Sequence, residues 1–149
     1  MDFELKPISH HGVAEALEKV ERYRLLNEPS LAESICLDVL HIEPGNQRAL
    51  LLMLLSLTDQ FSNGVDPERA QEILPKLKND YERAYYEGII YERQAFALLR
   101  QGSPDSQDPF RKAMACYERA EHLRPTRNDD AILRWNTCAR VLMRDRGTR

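Results

Sequence analysis

Side chains with catalytic or metal-binding chemistry are few and scattered in this chain. The three cysteines are Cys36, Cys116 and Cys138, and no two of them form a Cys-x-x-Cys pair, so the tetrahedral zinc pattern is missing. His10 and His11 are adjacent and would point in different directions on a helix or strand, which makes them a poor pair of metal ligands. The chain also lacks a glycine-rich phosphate loop, a His-Glu-x-x-His pair and a nucleophile elbow. We therefore expect no enzymatic activity, no catalytic residue, no cofactor and no metal, and we expect the cysteines to be buried structural residues.

Charge is divided unevenly along the chain. Residues 1–80 contain 14 acidic and 8 basic side chains, whereas residues 81–149 contain 10 acidic and 13 basic ones. The basic surplus includes a group of arginines near the end of the chain, and contact with an acidic partner or with phosphates is one interpretation of it. These arginines are Arg134, Arg140, Arg144, Arg146 and Arg149. The alternative is that they stabilise the end of a final helix through its dipole. The net charge of −3 disfavours nucleic acid as the partner, because nucleic-acid-binding domains are usually basic.

Composition indicates a soluble, folded chain. Hydrophobic residues make up 42% of the sequence, which is enough to bury a core as one domain or one short repeat array. The first twelve residues lack the apolar stretch of a secretory signal, and the longest strongly apolar run, 49–55, is too short to span a bilayer. The odd number of cysteines fits a reducing compartment. We therefore expect a single domain over residues 1–149, a cytoplasmic location and no membrane partner.

Helix signals dominate, and strand signals are nearly absent. We predict seven helices, grouped into three hairpins and one final capping helix. The predicted bounds are 13–43, 47–79 and 80–124 for the hairpins and 128–144 for the capping helix. Pro75 lies inside the second helix of the middle hairpin, where it removes a backbone hydrogen bond, so we expect a kink or a break near Leu74.

Several residues are typical of helix starts. Ser30 and Glu33 have the spacing of a capping box for the second helix. Asn46 and Asn128 are candidate caps for the third and the final helix. Two dipeptides place an aspartate cap directly before a proline at the first helical position. They are Asp66–Pro67 and Asp108–Pro109.

One spacing occurs three times: an alanine, a residue four positions later and an apolar residue three further on. The instances are Ala32, Cys36 and Val39; Ala70, Leu74 and Leu77; and Ala113, Tyr117 and Ala120. Offsets of four and three place the side chains on one helical face, so each instance predicts the same helix again. A proline follows the first and third instances, at Pro44 and Pro125. Repetition of one unit is typical of stacked arrays, which mostly bind other molecules.

This pattern resembles the tetratricopeptide repeat family, whose second helices carry alanine, a large residue, alanine and a terminal proline at these offsets. The resemblance covers nearly all of residues 13–144 and is close in the second helices of the first and third units. It is poor in the first helices, although Gly88 sits three residues after Tyr85. It implies an all-α fold, a right-handed superhelical stack of antiparallel helix hairpins with about seven helices.

The resemblance also implies that the first helices of the hairpins line a concave groove. The groove-facing candidates are Leu17, Glu21, Arg48, Leu51, Leu55, Tyr85, Ile89, Ile132 and Asn136. Among them, we expect Tyr85 and Ile89 to contact a partner, whereas we expect Leu51 and Leu55 to be covered by neighbouring helices. A mainly apolar groove suits an amphipathic helix or an extended peptide with aliphatic anchors.

These observations favour a non-enzymatic scaffold or adaptor that binds a protein or peptide partner. Some members of the resembled family bind the C-terminal carboxylate of chaperones through lysine, asparagine and arginine. Here Leu17, Glu21 and Leu52 occupy the corresponding positions, so we expect that clamp to be missing. Two alternatives stay open: a secretion-type chaperone of the same family, and a binder of nucleic acid or an acidic partner at the arginine-rich end. We expect a monomer, or a homodimer formed through the ends of the stack.

Overall fold

The computed structural model describes the backbone of residues 1–147 and the side chains of residues 1–144. Within this range the chain forms seven α-helices and no strand, which confirms the prediction of an all-α protein. The helices are α1 (Val13–Leu25), α2 (Pro29–Ile42), α3 (Gln47–Thr58), α4 (Pro67–Gln71), α5 (Asp80–Arg100), α6 (Gln107–Leu123) and α7 (Asp130–Gly147). Short 3-10 turns occur at His10–Gly12, Phe61–Asn63, Leu74–Lys76 and Pro104–Ser106.

The predicted caps of α3 and α4 are confirmed. The side chain of Asn46 accepts a hydrogen bond from the backbone N–H of Ala49 at 2.9 Å. The carboxylate of Asp66 accepts one from the backbone N–H of Glu68 at 3.0 Å. Each bond satisfies a backbone donor that has no partner within the first helical turn. The predicted break before α5 is also confirmed, since α4 ends at Gln71 and a separate 3-10 turn follows it.

Two predicted helix starts are wrong. Helix α2 begins at Pro29, because the fixed φ of proline suits the first helical position, and Glu33 takes no part in a capping box. Helix α6 begins at Gln107, because the 3-10 turn Pro104–Ser106 continues directly into it. Asp108–Pro109 therefore falls inside the first turn of α6, where the missing N–H of proline still costs nothing.

Helix α5 joins two hydrophobic cores. The first core is built by α1, α2, α3 and α4, and α5 contributes Ile90 and Ala97 to it. The second core lies between α5, α6 and α7, and Ile89 and Ala95 belong to it. Because neighbouring residues of α5 point into different cores, this 21-residue helix holds the two parts of the molecule together.

The face predicted by the threefold spacing is buried in all three places. Every one of its nine side chains is at most 7% exposed, and Ala32, Ala70 and Ala113 are fully buried. Alanine at these positions lets neighbouring helices approach closely, since a larger side chain would need space that the packed interior does not have. The spacing therefore identified the packing face of α2 and α6 correctly, whereas in the middle unit only Ala70 lies on α4, and Leu74 and Leu77 are buried in and after the 3-10 turn that follows it.

Candidate functional site

A groove of about 780 Å³ lies across helices α1, α3 and α5. Helix α1 contributes Glu21, Arg24 and Leu25; α3 contributes Arg48, Leu51, Leu52, Leu55 and Thr58; and α5 contributes Tyr86, Arg93 and Arg100. Asn27, Asp59 and Ser62 from the connections complete the lining. Within each helix, the residues that line the groove are mostly three, four or seven positions apart, so each helix presents one face to the groove. These three helices are the first helices of the predicted hairpins.

Four of the nine predicted groove residues line this groove. They are Glu21, Arg48, Leu51 and Leu55. Leu51 and Leu55 are half-buried, so neighbouring helices cover them only in part, and both contribute to the floor of the groove. Their role in binding a partner stays a prediction.

Four other predicted groove residues lie elsewhere. Leu17 and Ile89 are each 2% exposed and belong to the first and the second core, so neither is accessible to a partner. The register of the resembled family places Leu17 in the groove, but in this chain α1 packs that side chain into the first core. Ile132 and Asn136 line a separate cavity of about 440 Å³ between α6 and α7.

Tyr86, and not Tyr85, is the tyrosine that lines the groove. The ring of Tyr85 packs in the second core, 5.8 Å from the ring of Tyr117 between centroids, and burial raises the pKa of its hydroxyl. One position along an α-helix is a rotation of about 100°, so an error of one residue moves a contact from the groove to the core. The sequence contains a signal for the correct face, because Tyr86, Arg93 and Arg100 are seven residues apart.

Four arginines and two carboxylates line the groove, which gives it a positive balance in a chain of net charge −3. Arg24 donates two hydrogen bonds to the carboxylate of Asp59, at 2.7 and 3.3 Å. Arg48 lies 3.2 Å from Glu21, and both of these side chains are about half exposed. The two carboxylates of the groove are therefore already paired with arginines of the same groove.

Arg93 and Arg100 have no carboxylate partner among the described side chains. Arg100 donates one hydrogen bond to the hydroxyl of Ser62, at 3.2 Å. The Nε of Arg93 is buried and has no hydrogen-bond acceptor in the described part of the chain. A buried N–H of a cation without an acceptor is costly, so the described surroundings of the Arg93 Nε leave this donor unsatisfied. The chemistry available here is recognition: an apolar floor for aliphatic side chains, and two arginines for an anionic group.

The arginine-rich end is only partly available to a partner. Arg134 donates a hydrogen bond to the carboxylate of Glu92 at 2.8 Å, and Glu92 is 1% exposed. Glu92 therefore already pairs with Arg134, but the Arg134 side chain is 38% exposed, and its contact with an anionic partner stays a prediction. Arg140 and Arg144 are exposed on α7, and their role stays a prediction. Outside the described side chains lie Arg146 and Arg149.

The cysteines are buried and free, as predicted. Burial raises the pKa of Cys36, Cys116 and Cys138 to about 12 in each case, which disfavours the reactive thiolate. Within the described residues, no group of three or more histidine, cysteine, aspartate or glutamate side chains is placed to hold a metal ion.

No helix in the described part of the chain combines the length and the apolar character needed to cross a membrane. Comparison with known proteins finds no protein-family model, no curated protein and no solved structure that matches this chain. A functional proposal therefore rests on the groove itself.

Proposed function

We propose that this chain is a non-enzymatic scaffold that binds an extended segment of a partner protein in the groove of α1, α3 and α5. The proposal includes a right-handed superhelical stack of hairpins, like that of the tetratricopeptide repeat family. The observation that carries it is an apolar floor beside two arginines, Arg93 and Arg100, that lack carboxylate partners among the described side chains.

The apolar part of the groove supports binding by burial. Leu51 and Leu55 are one helical turn apart on α3, so they provide adjacent contacts for aliphatic side chains. Leu25, at the margin of the groove, is 88% exposed. A ligand that covered these leucines would remove apolar surface from water, which is the main favourable contribution to most protein associations. The groove volume also lies within the range of typical ligand-binding clefts.

The charged part of the groove supports a preference for acidic partners. A carboxylate of the ligand could accept hydrogen bonds from Arg93 or Arg100, and charge-assisted hydrogen bonds are stronger than neutral ones. A cationic ligand would meet two unneutralised arginines and would be disfavoured. We therefore expect the bound segment to combine aliphatic and acidic side chains.

A randomised peptide library displayed on phage tests this function. Selection on the immobilised chain is expected to enrich peptides with aliphatic and acidic residues, whose affinity is then measured by fluorescence anisotropy. Leu55→Lys places a cation on the groove floor and should weaken binding by about tenfold or more, because it removes an apolar contact. Leu133→Lys is the matched control, since Leu133 is 62% exposed on α7 and lies outside the groove.

Circular dichroism and thermal melting establish that both lysine variants are folded before their binding is compared. Equal affinity of the selected peptides for the Leu55→Lys variant and the unaltered chain would place the binding site outside this groove. A selection that enriches no peptide would contradict the peptide-binding function itself.

A further inference from the structure

Residues 1–7 form an exposed arm that precedes the first 3-10 turn. The arm adopts no helix or strand, and all seven of its residues are exposed. Phe3 and Leu5 are 80% and 84% exposed, which places them among the most exposed large apolar side chains of the described chain. The base of the arm is fixed, because Ile8 packs against the first core and Ser9 caps the 3-10 turn.

Acidic and apolar side chains alternate along this arm. Asp2 and Glu4 alternate with Phe3 and Leu5, and an extended chain places the two kinds on opposite sides. Phe3 and Leu5 therefore share one side of the extended arm, and a surface that covered both would remove apolar area from water. The arm therefore has the chemistry that the groove requires of its ligand.

The groove offers apolar and cationic groups that complement the apolar and acidic side chains of the arm. Its apolar floor on α3 can cover Phe3 and Leu5, while Arg93 and Arg100 on α5 can receive the carboxylates. The two arginines are separated by about 10 Å along α5, at 1.5 Å per residue. Alternate residues of an extended chain, such as Asp2 and Glu4, are about 7 Å apart. The long, flexible arginine side chains can make up the difference between this spacing and that of the two arginines.

The arm does not occupy the groove of its own copy in the structure. Phe3 and Leu5 keep 80% and 84% of their surface exposed, and no residue of the arm is among the described residues that line the groove. The arm joins the chain before the start of α1, whereas α1 contributes residues of its C-terminal half, from Glu21 onward, to the groove. A second copy is therefore the source of the arm that we place in the groove.

We propose that the arm of one copy docks in the groove of a second copy, and that two copies exchange arms in this way. Asp2 and Glu4 pair with Arg93 and Arg100 of the other copy, and Phe3 and Leu5 cover the leucines of its floor. This inference rests on the proposed function of the groove as a site for extended segments. The exchange would regulate the binding of partner segments, because the arm and a partner segment compete for the same groove. It would also limit assembly to two copies, because each copy gives one arm and receives one.

A charge-swap experiment on the full chain tests this proposal by sedimentation equilibrium over a range of protein concentrations. The unaltered chain should show a concentration-dependent increase to twice the mass of one chain. The variant Asp2→Lys/Glu4→Lys has a basic arm and an arginine groove, and the variant Arg93→Glu/Arg100→Glu has an acidic arm and an acidic groove. Each variant alone should lose the association, by about tenfold or more in the dissociation constant.

Mixing the two variants in equal amounts should restore the association. In the mixed pair, the basic arm meets the acidic groove and the acidic arm meets the arginine groove, so both contacts are attractive again. Arg140→Glu/Arg144→Glu is the control for charge alone, because these arginines are exposed on α7 outside the groove, and it should associate like the unaltered chain. If Arg93→Glu prevents folding, Arg100→Glu alone replaces the double groove variant, since Arg100 is exposed.

Three results would overturn the proposal. The unaltered chain could stay at the mass of one copy at every concentration, or its association could survive both charge reversals, as in a dimer formed through another surface. Mixing could also fail to restore association, as expected for an arm that docks within its own chain. Any of these results, together with library peptides that still bind the groove, removes the arm as occupant and leaves the proposed function intact. Loss of peptide binding as well would remove both.

Discussion

Tyr117 is the side chain around which the second core is arranged. It is 1% exposed, its ring lies against Gly88 of α5, and its hydroxyl donates a hydrogen bond to Glu92 at 2.9 Å. A Cβ atom at Gly88 would lie within 3.0 Å of three atoms of this ring, so the glycine is required by close approach and not by backbone conformation. The ring of Tyr117 on α6 thus packs directly against the backbone of α5 at Gly88.

Gly88→Ala should destabilise the protein by about 1 to 3 kcal/mol, because the added methyl group overpacks the contact with a ring that has no space to move. This cost opposes the better helix propensity of alanine, which is worth about 1 kcal/mol in a helix interior. Urea denaturation followed by circular dichroism measures the difference. Gly45→Ala is the control, since a Cβ there would meet nothing within 4 Å, and it should change the free energy of unfolding little. A Gly88→Ala variant as stable as the unaltered chain would contradict this packing.

Among the elements, α7 is joined to α5 by an ion pair between Arg134, whose side chain is 38% exposed, and the buried carboxylate of Glu92. Glu92 of α5 accepts hydrogen bonds from Arg134 of α7 at 2.8 Å and from Tyr117 of α6. Cys138 of α7 lies 3.7 Å from the same carboxylate. Such a pair stabilises little relative to an apolar contact, but the loss of one partner leaves a charge buried without compensation.

Arg134→Met should therefore cost up to about 3 kcal/mol of the free energy of unfolding, because the buried carboxylate of Glu92 loses its cationic partner. The double variant Glu92→Gln/Arg134→Met should regain a substantial part of that loss, since both charges are then removed. Urea denaturation gives both values, and amide exchange along α7 shows whether this helix opens first. Arg140→Met on the exposed face of α7 serves as the control, with an expected change within about 0.5 kcal/mol. Additive effects of the two substitutions would refute the coupling.

Glu33 connects α2 to α4 and to the turn after α3, and its ion pair should make the stability of the protein depend on pH. Its carboxylate accepts hydrogen bonds from Arg69 at 2.6 Å and from Gln60 at 2.9 Å. Burial raises the pKa of Glu33, but these hydrogen bonds and the charge of Arg69 outweigh burial and hold the pKa below its usual 4.5. A lowered pKa in the folded state contributes stability above pH 4.5, and this contribution is lost as the pH falls through the folded pKa.

Glu33→Gln should therefore lower the free energy of unfolding by about 1 kcal/mol at pH 7 and by much less at about pH 3. Thermal melting at the two pH values measures the difference between variant and unaltered chain. Glu68→Gln on α4 is the control, because its side chain is exposed and makes no ion pair among the described residues. If the difference in stability between the Glu33→Gln variant and the unaltered chain is the same at both pH values, the Glu33 carboxylate does not titrate as described.

At the scale of the whole molecule, α5 connects both cores to the groove. It contributes to both cores and also presents Tyr86, Arg93 and Arg100 to the groove. One helix therefore has three faces with different environments. This explains why the sequence placed the start of this helix at residue 80 but assigned Tyr85 instead of Tyr86 to the groove. Apolar and aromatic residues surround α5 on most sides, and no single stripe dominates.

The amino-acid sequence by itself determined the number of helices, the break at Pro75, the caps at Asn46 and Asp66 and the burial of the three residue sets that begin with alanine. These features depend on contacts within a few residues, which spacing and residue type report directly. Only the tertiary structure decided that Glu33 pairs with Arg69 instead of forming a capping box, and that Arg134 pairs with Glu92. It also decided that Arg93 and Arg100 share a groove with the leucines of α3. These pairings join residues distant in the chain, and their partners are fixed only when the helices pack, because the rotation of each helix sets which side chains meet.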